Sequence, residues 1–446
     1  MIKNIFSFIA IISLSLQSFS QVKTYDETAL LFSQEKLNGT ARYLAMSGAY
    51  GAIGGDLSAV DVNPAGMAIF NESTANISFD VNASKNTNKF YNTSSSNEFG
   101  DLDFAQAGFL ILSKNGNENW DRFSFSINTM SSNDFDNSVS FLGNNHLSNE
   151  SFFLAPDPTA DLYDIVESQK MENTTSGKNA KTFFTIASRY NKNLYFGMSI
   201  ISNSVDFNQS IRIKESSKDI NDNTFNGNIT QTLNTYGGGI GFNFGILSKP
   251  TKNLRLGLAY QTPSWYALTE DFTEDMTVNL SNADIDQPDI VKNYFEYHLR
   301  TPGKVTGSIA YIFGKEGLIS LDYNYKDYSD AKLSPTADFE GEYHNNENIK
   351  NNYDAVSSIN IGGEYRLKHI SLRAGYHFED SPYKNSEDKI SGYSLGFGFK
   401  TSNYSTLDFA FNKTNGFDKN YYLNAPNAIL TENDTNKFTA TYSISF

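Results

Sequence analysis

The sequence predicts an all-β fold, a transmembrane antiparallel β-barrel of about 14 strands with a small, partly helical hatch in its lumen. Three observations predict it. Apolar and polar residues alternate in short segments from residue 74 to the C-terminus. Short turns alternate with long polar loops between these segments. The chain also has 26 Tyr and 35 Phe, many at segment ends, where aromatic girdles meet a membrane interface.

The N-terminus is typical of a secretory signal peptide. Lys3 gives a positive start, Ile5 to Leu16 form an apolar run, and Ser18-Phe19-Ser20 offers small residues for cleavage before Gln21. The run is shorter than the roughly 20 apolar residues of a membrane anchor. We therefore expect residues 1–20 to be removed on export.

Residues 21–73 differ from the rest of the chain, and we expect them to form the hatch. Asp26 is a candidate N-cap for a helix from Glu27 to Phe32. A stretch rich in Gly and Ala follows, from Ala41 to Gly55. About eight strands already suffice for a packed barrel interior, so a larger barrel encloses unfilled space. A compact segment of small residues could thread that lumen and seal it.

The sharpest motif of this segment is Asn63-Pro64-Ala65-Gly66-Met67. Asn63 can cap a short helix while Pro64 takes its first position, where the missing N–H costs nothing. An ordinary capped turn explains these residues equally well on local chemistry alone.

Residues 74–446 are expected to form the barrel. In one clear segment Leu194, Phe196, Met198 and Ile200 share one face, as strand geometry requires. Short turns are predicted at Lys114–Asp121, Asn191–Asn193, Ser248–Asn253, Gly314–Gly317, Lys368–His369 and Thr401–Asn403. Long loops are predicted near 85–102, 132–180, 206–229, 270–295, 329–355, 380–388 and 414–435. These connections imply about 14 strands, and the short turns then all face the periplasm.

The final segment supports the same fold. From Lys437 to Phe446, Phe438, Ala440 and Tyr442 alternate with polar residues, and the chain ends in an aromatic residue. Such an ending resembles the signal that barrel-assembly machinery reads in outer-membrane proteins, so we expect that machinery as a partner during biogenesis, together with outer-membrane lipid.

Composition excludes several functions. The net charge of -15 argues against binding of nucleic acid, which requires clustered Lys and Arg. The absence of Cys excludes disulfides, thiolate metal sites and thiol catalysis. The five His residues have no metal-ligand spacing, and Gly237 to Gly241 lack the rest of a phosphate loop. We therefore expect no catalytic residues, no metal and no cofactor, and a protein that is not an enzyme.

Beyond these patterns, the sequence resembles the FadL/TodX family of outer-membrane transporters for hydrophobic compounds. The resemblance rests on Thr40 to Met67, including Asn-Pro-Ala-Gly-Met. Three further stretches, Tyr260 to Tyr266, Leu299 to Lys304 and Gly317 to Tyr328, are similar to the branch found in Bacteroidetes. The resemblance covers the whole mature chain and implies a fourteen-stranded barrel with an N-terminal hatch.

The resemblance also implies a mechanism. Outer loops capture an apolar ligand, the hatch rearranges, and the ligand leaves sideways through a gap beside a kinked third strand. Asn63, Pro64, Ala65 and Gly66 match the hatch motif and are the expected gating residues. The third strand is predicted at Arg122 to Ser131, which contains no Gly or Pro to mark a kink. No ligand-binding residue is assigned, although Phe152, Phe153 and Leu154 are apolar candidates in a predicted outer loop.

We therefore expect an outer-membrane channel of a Gram-negative bacterium, a monomer that takes up hydrophobic small molecules such as long-chain fatty acids or aromatic hydrocarbons. Two alternatives stay open at this point. One is a barrel component or shuttle of a protein-secretion system, and the other is a structural or adhesive surface protein.

Overall fold

The computed structural model describes residues 23–90, 93–114, 117–143, 165–282, 284, 287–339, 344–420 and 429–446. Over these residues the predicted fold class is confirmed, because antiparallel strands close into a 14-stranded barrel. The predicted signal peptide and the capture candidates Phe152, Phe153 and Leu154 lie outside the described residues. None of the described helices has the length and apolar composition that a helical membrane crossing requires.

Eighteen β segments build the barrel, because some of its strands are interrupted. They are β1 (Thr74–Phe90), β2 (Thr93–Ser113), β3 (Trp120–Asp134), β4 (Asn137–Gly143), β5 (Ile165–Tyr190), β6 (Leu194–Lys218), β7 (Thr224–Ser248), β8 (Leu254–Gln261), β9 (Trp265–Leu280), β10 (Val291–Arg300), β11 (Lys304–Phe313), β12 (Gly317–Asp327), β13 (Lys332–Ser334), β14 (Ala355–Leu367), β15 (Ile370–Asp380), β16 (Lys389–Lys400), β17 (Ser405–Asn420) and β18 (Ile429–Ser445). The helices are α1 (Tyr25–Ser33), α2 (Ala41–Leu44), α3 (Thr336–Phe339) and α4 (Asn345–Asn352), with 3₁₀ helices η1 (Leu57–Asp61), η2 (Pro64–Ile69) and η3 (Tyr328–Asp330).

The barrel closes between its first and last strands. Thr74 of β1 lies opposite Ser445 of β18 and also opposite Leu110 of β2. All six predicted short turns are present at the same end of the barrel as this closure, the turn end. Short turns face the periplasm in outer-membrane barrels, so the opposite, loop end faces outward.

Several predicted loops are strands instead. Residues 85–102 and 206–229 form the hairpins β1–β2 and β6–β7, and β6 and β7 are 25 residues long. Such a strand extends about 80 Å, whereas about 9–11 residues cross a bilayer. The long strands therefore continue well beyond the membrane at the loop end, where their outward residues are polar and so resemble a loop in sequence.

The apolar face of the strands changes sides along their length. On β6, Met198 and Ile200 point outward with 36% and 42% of their surface exposed, while Ser199 points inward and is buried. Nearer the loop end Phe207 and Ile211 point inward and are buried, and the outward residues are polar. The turn-end half is therefore built to face lipid, and the loop-end half encloses an apolar interior, which we call the upper chamber.

The described residues before β1, 23–73, lie inside the barrel and are called the lumenal segment. Its helix α1 is capped by Thr24, two residues before the predicted cap Asp26. The Glu27 carboxylate accepts a hydrogen bond from the Thr24 N–H at 3.0 Å. Thr24 Oγ1 donates to Asp26 at 2.7 Å, so Asp26 supports the cap and does not form it.

Candidate functional site in the barrel lumen

The lumenal segment runs from the loop end to the turn end of the barrel. Helix α1 packs in the upper chamber, where the Phe32 ring lies 5.6 Å from that of Phe135 and 5.8 Å from that of Phe207. Below it, α2, η1 and η2 form a second buried cluster with side chains of the barrel wall, among them Phe183 and Leu247. The segment therefore occupies the lumen along most of its height.

The structure brings the four predicted gating residues together at one point of the wall. Asn63 caps η2, as predicted, by accepting a hydrogen bond from the Ala65 N–H at 3.1 Å. Its amide group donates to Gly51 O at 2.8 Å and to Ile246 O of β7 at 3.1 Å. One side chain thus joins the motif, the small-residue stretch before it and the barrel wall.

Glycines allow this close approach. A Cβ atom on Gly197 of β6 would collide with the backbone of Pro64 and Ala65, and one on Gly245 of β7 would collide with Asn63. Gly197 and Gly245 lie directly opposite each other in the sheet. Any larger residue at either position would push the Asn63-Pro64-Ala65 turn away from the wall.

Gly66 has a similar role within the segment. A Cβ atom on Gly66 would lie 2.8 Å from the Cα atom of Gly54, which itself has a positive φ of +62° that favours glycine. The Gly55 N–H donates to Gly66 O at 3.2 Å across the same contact. The motif and the Gly-Gly pair before it therefore pack as one unit.

An ion cluster ties the middle of the segment to three barrel strands. Glu35 accepts from Lys181 of β5 and from Lys304 of β11, each at 2.6 Å, and Lys326 of β12 lies 3.7 Å away. Asp61 at the end of η1 shares Lys181 at 3.0 Å. Burial alone would raise the pKa of Glu35, but the three ammonium groups lower that pKa well below its usual range. Glu35 is therefore held as a carboxylate.

A second ion cluster fixes α2. Arg42 Nε lies 3.1 Å from Glu364 of β14, and Arg373 of β15 lies 2.7 Å from the same carboxylate. Arg373 also lies 2.6 Å from Asp408 of β17. Burial would lower the pKa of Arg42, but the Glu364 carboxylate raises it well above its usual range. Paired charges of this kind keep the buried groups satisfied and fix the orientation of α2.

A cavity of about 410 Å³ lies beside the lumenal segment. Part of its lining is apolar and aromatic, including Leu30 of α1, Phe135 and Phe207. Most of the lining residues are polar or charged, including Glu35, Lys304 and Lys326 of the ion cluster. The cavity can therefore hold a molecule with an apolar body and one polar end.

The wall beside this cavity is incomplete between β2 and β3. Their pairing runs from Ser113 opposite Phe123 to Gln106 opposite Met130 and does not continue toward the loop end. The pairing of β3 with β5 shifts register after Trp120 and after Ser131, and the strand is interrupted before β4. The third strand is thus irregular without a Gly or Pro, and this irregularity was not predictable from its sequence.

Three carboxylates meet next to this gap. The oxygens of Asp101, Asp134 and Asp136 lie within 4.8 Å of one another, the one such group among the residues that the structure describes. Lys178 lies 2.6 Å from neighbouring Asp103, and Lys36 donates to the Asp134 carbonyl at 2.8 Å. These ammonium groups supply counter-charge, and we assign the cluster no ligand.

The helix cap at Asn63 was predictable from the sequence, but the ionic contacts were not predicted. Lys181, Lys304 and Arg373 stand at inward-facing positions of their strands, where neighbouring residues two apart are buried or half-buried. A charged residue that points into a filled lumen must find a partner there. The alternation of inward and outward positions along each strand could therefore have identified these residues. It could not have identified Glu35, Asp61 or Arg42 as their partners.

The comparison with known families gives one match across most of the chain. Residues 28–445 match the sequence model of the family described as outer membrane protein transport protein (OMPP1/FadL/TodX). No protein in the curated set matches the sequence.

Solved structures share the fold at low sequence identity. A Pseudomonas aeruginosa FadL homologue is similar with a TM-score of 0.60 and 13% identity, covering 93% of this chain and 100% of that one. The CymD monoaromatic hydrocarbon channel has a TM-score of 0.56 and 13% identity, with coverage of 92% and 97%. The Pseudomonas putida toluene transporter TodX has a TM-score of 0.53 and 13% identity, with coverage of 93% and 100%.

Proposed function

Because the chain belongs to the OMPP1/FadL/TodX family of outer membrane transport proteins, we propose that it takes up hydrophobic small molecules through the barrel. As a member it is a transport protein of the Gram-negative outer membrane and not an enzyme. The observation that carries the proposal is the cavity of about 410 Å³, lined by both apolar and charged side chains, beside a segment that fills the lumen. We propose that the protein acts as a monomer, since one chain closes the barrel.

The cavity favours an amphipathic ligand with a carboxylate, such as a long-chain fatty acid. Leu30, Phe135 and Phe207 would contact the apolar chain. Lys304 and Lys326 would contact the carboxylate, in the place that Glu35 occupies in the ligand-free protein. A carboxylate ligand would therefore compete with Glu35 for the lysines and weaken the attachment of the lumenal segment.

We propose that the lumenal segment is the hatch and that residues Asn63, Pro64, Ala65 and Gly66 are its gating residues. The hydrogen bonds from Asn63 to Gly51 O and Ile246 O hold the motif against the wall. Release of Glu35 above and of Asn63 below would free the segment along its length. The unpaired stretch between β2 and β3, beyond Gln106 and Met130, is the proposed route by which the ligand leaves sideways.

The uptake experiment tests the function as a whole. Deletion of the gene should lower uptake of a labelled long-chain fatty acid, and the wild-type gene should restore it. Unchanged uptake of fatty acids and of toluene would contradict the proposal. Copurification of secreted proteins with the barrel, together with unchanged uptake, would favour a role in protein secretion.

A comparison of acid and ester tests the carboxylate contact. The double variant Lys304→Met and Lys326→Met should lower binding of palmitate by about a hundredfold or more, because each of the two charge-assisted hydrogen bonds contributes about 1.5–3 kcal/mol. Binding of methyl palmitate should change little. Lys389→Met is the matched control, since Lys389 lines the same cavity but is 60% exposed and pairs with Asp380. An equal loss of binding for palmitate and for methyl palmitate would exclude a contact between the lysines and the carboxylate.

A further inference from the structure

The outer surface of the barrel has an apolar groove in its turn-end half. The groove has a volume of about 970 Å³ and extends across the strands from β2 to β11. Its walls are outward side chains such as Phe123, Ile186 and Leu258, with 48%, 61% and 59% of their surface exposed. These residues belong to the half of the barrel that faces lipid, so the groove opens to the bilayer.

The floor of the groove is the barrel backbone itself. Gly197, Gly245 and Ala259 line it with little or no side chain. On the inner face of the same backbone, Gly197 and Gly245 contact the Asn63-Pro64-Ala65 turn. The backbone that the lumenal motif contacts from inside is therefore the same backbone that forms the floor of the groove outside.

The rim of the groove at the turn end is basic. The three turns below it and their flanks, residues 113–122, 188–193 and 248–253, contain six basic and two acidic side chains. Of the basic groups, Arg122 donates to the lumenal segment, Lys249 donates to the buried Tyr195, and Arg189 pairs with Asp121. Each turn carries an exposed lysine, namely Lys114, Lys192 or Lys252.

Aromatic rings mark the interface at this rim. The ring of Trp120 lies 4.9 Å from that of Tyr190 and 5.9 Å from that of Phe196, which lines the groove. Trp and Tyr concentrate at the level of lipid headgroups. The lysines of the turns therefore lie at headgroup depth, directly beneath an apolar groove.

We infer that this groove binds an anionic phospholipid of the periplasmic leaflet. Its acyl chain lies in the groove against Phe123, Ile186 and Leu258, and its phosphate contacts Lys192 and Lys252. Basic clusters at a membrane surface attract anionic lipids by about 1 kcal/mol per lysine. The inference rests on the membrane location of the barrel and not on what the barrel transports. The acyl chain would lie on the outer face of the strands whose inner face contacts Asn63 and Pro64.

Native mass spectrometry of the full-length protein, released from detergent micelles with added lipid, tests the site. The wild type should retain phosphatidylglycerol in preference to phosphatidylcholine. Lys192→Gln with Lys252→Gln should lower retained phosphatidylglycerol by about thirtyfold, as expected for the loss of two lysines. The matched control is Lys368→Gln with Lys400→Gln, which removes two lysines at turns away from the groove and should change retention little.

A second variant tests the groove without changing charge. Ser188→Phe places a ring in the groove, since Ser188 is one of its lining residues, and should lower retention of phosphatidylglycerol. Heat-modifiable migration in gels reports that the variant barrel is folded. Equal retention by the wild type, the lysine variant and Ser188→Phe would overturn the inference. Retention of added oleate in place of phospholipid, lost in Ser188→Phe, would also overturn it and identify the groove as a ligand exit.

Discussion

Asn63 shows how much one side chain can fix in a crowded lumen. Its oxygen caps η2, and its amide nitrogen bridges the lumenal segment and β7. The cap was predictable, because Asn before Pro at a helix start has a local explanation. The bridge was not predictable, because it depends on Ile246, 183 residues away.

Two substitutions separate these roles. Asn63→Ala removes the cap and both donated hydrogen bonds, while Asn63→Asp keeps the cap acceptor and loses the donors. A lost cap costs about 0.5–2 kcal/mol and each lost hydrogen bond about 1 kcal/mol. If the bridge holds the gate, both variants should raise the frequency of channel opening in planar bilayers by about tenfold or more. If Asn63→Ala raises the frequency of opening and Asn63→Asp does not, the cap and not the bridge has the gating role.

Glu35 should make the proposed gating depend on pH. Its pKa is lowered below the usual 4.5, so its ion pairs stabilise the closed segment above that value and are lost as pH falls through the lowered pKa. We expect the wild type to stay closed from neutral pH down to 4.5 and to open more often in stronger acid. Glu35→Gln should open more often already at neutral pH, measured as conductance in planar bilayers. Identical pH profiles for the two proteins would exclude Glu35 as the group responsible.

At the scale of elements, the strands were predicted better than their ends. The six short turns are correct because Gly, Asn and Lys interrupt the alternation there. The predicted loop at residues 206–229 is wrong because the apolar side chains of β6 and β7 point inward outside the membrane. Polar residues such as Asp206 and Arg212 therefore point outward there. Outward polar residues do not match the alternation expected of a lipid-facing strand, so these positions were predicted as loop. The cap of α1 was misplaced because Thr24, Asp26 and Glu27 are all plausible capping residues.

A reversible crosslink tests movement of the lumenal segment. Ser47 Oγ lies 2.7 Å from Ser394 Oγ of β16, so Ser47→Cys with Ser394→Cys should form a disulfide in a chain that has no other cysteine. We expect oxidation to block uptake and reduction to restore it.

The matched control for this crosslink joins two strands of the wall. Thr185 Oγ1 of β5 lies 2.8 Å from Ser199 Oγ of β6, so Thr185→Cys with Ser199→Cys tests the same chemistry without fixing the segment. It should transport in both redox states. Full uptake by the oxidised Ser47–Ser394 protein would show that this part of the segment does not move.

At the scale of the whole molecule, the barrel consists of two parts whose apolar side chains point in opposite directions. The turn-end half exposes Ile186 and Leu258 to lipid, and the loop-end half buries Phe207, Ile211 and Val278 around α1. Stability of the membrane part depends on its closed hydrogen-bonded sheet. The upper part depends on its own apolar interior and should be dispensable for assembly.

Shortening one hairpin tests this division. Removal of residues 211–231, which link the paired residues Ser210 and Thr232 of β6 and β7, leaves the membrane half unchanged. The variant should assemble as a heat-modifiable barrel but lose most uptake, because the upper chamber is opened to water. Failure to assemble would show that the upper part is required for folding.

The reversal of faces also determines where a ligand first meets the protein. From Ser202 to Lys218 the outward side of β6 is polar, a stretch of about 40 Å along the membrane normal for a strand tilted as in other barrels. The upper chamber therefore extends beyond the lipid headgroups into the water at the cell surface. We therefore expect a sparingly soluble molecule that diffuses there to meet the upper chamber before it reaches the bilayer.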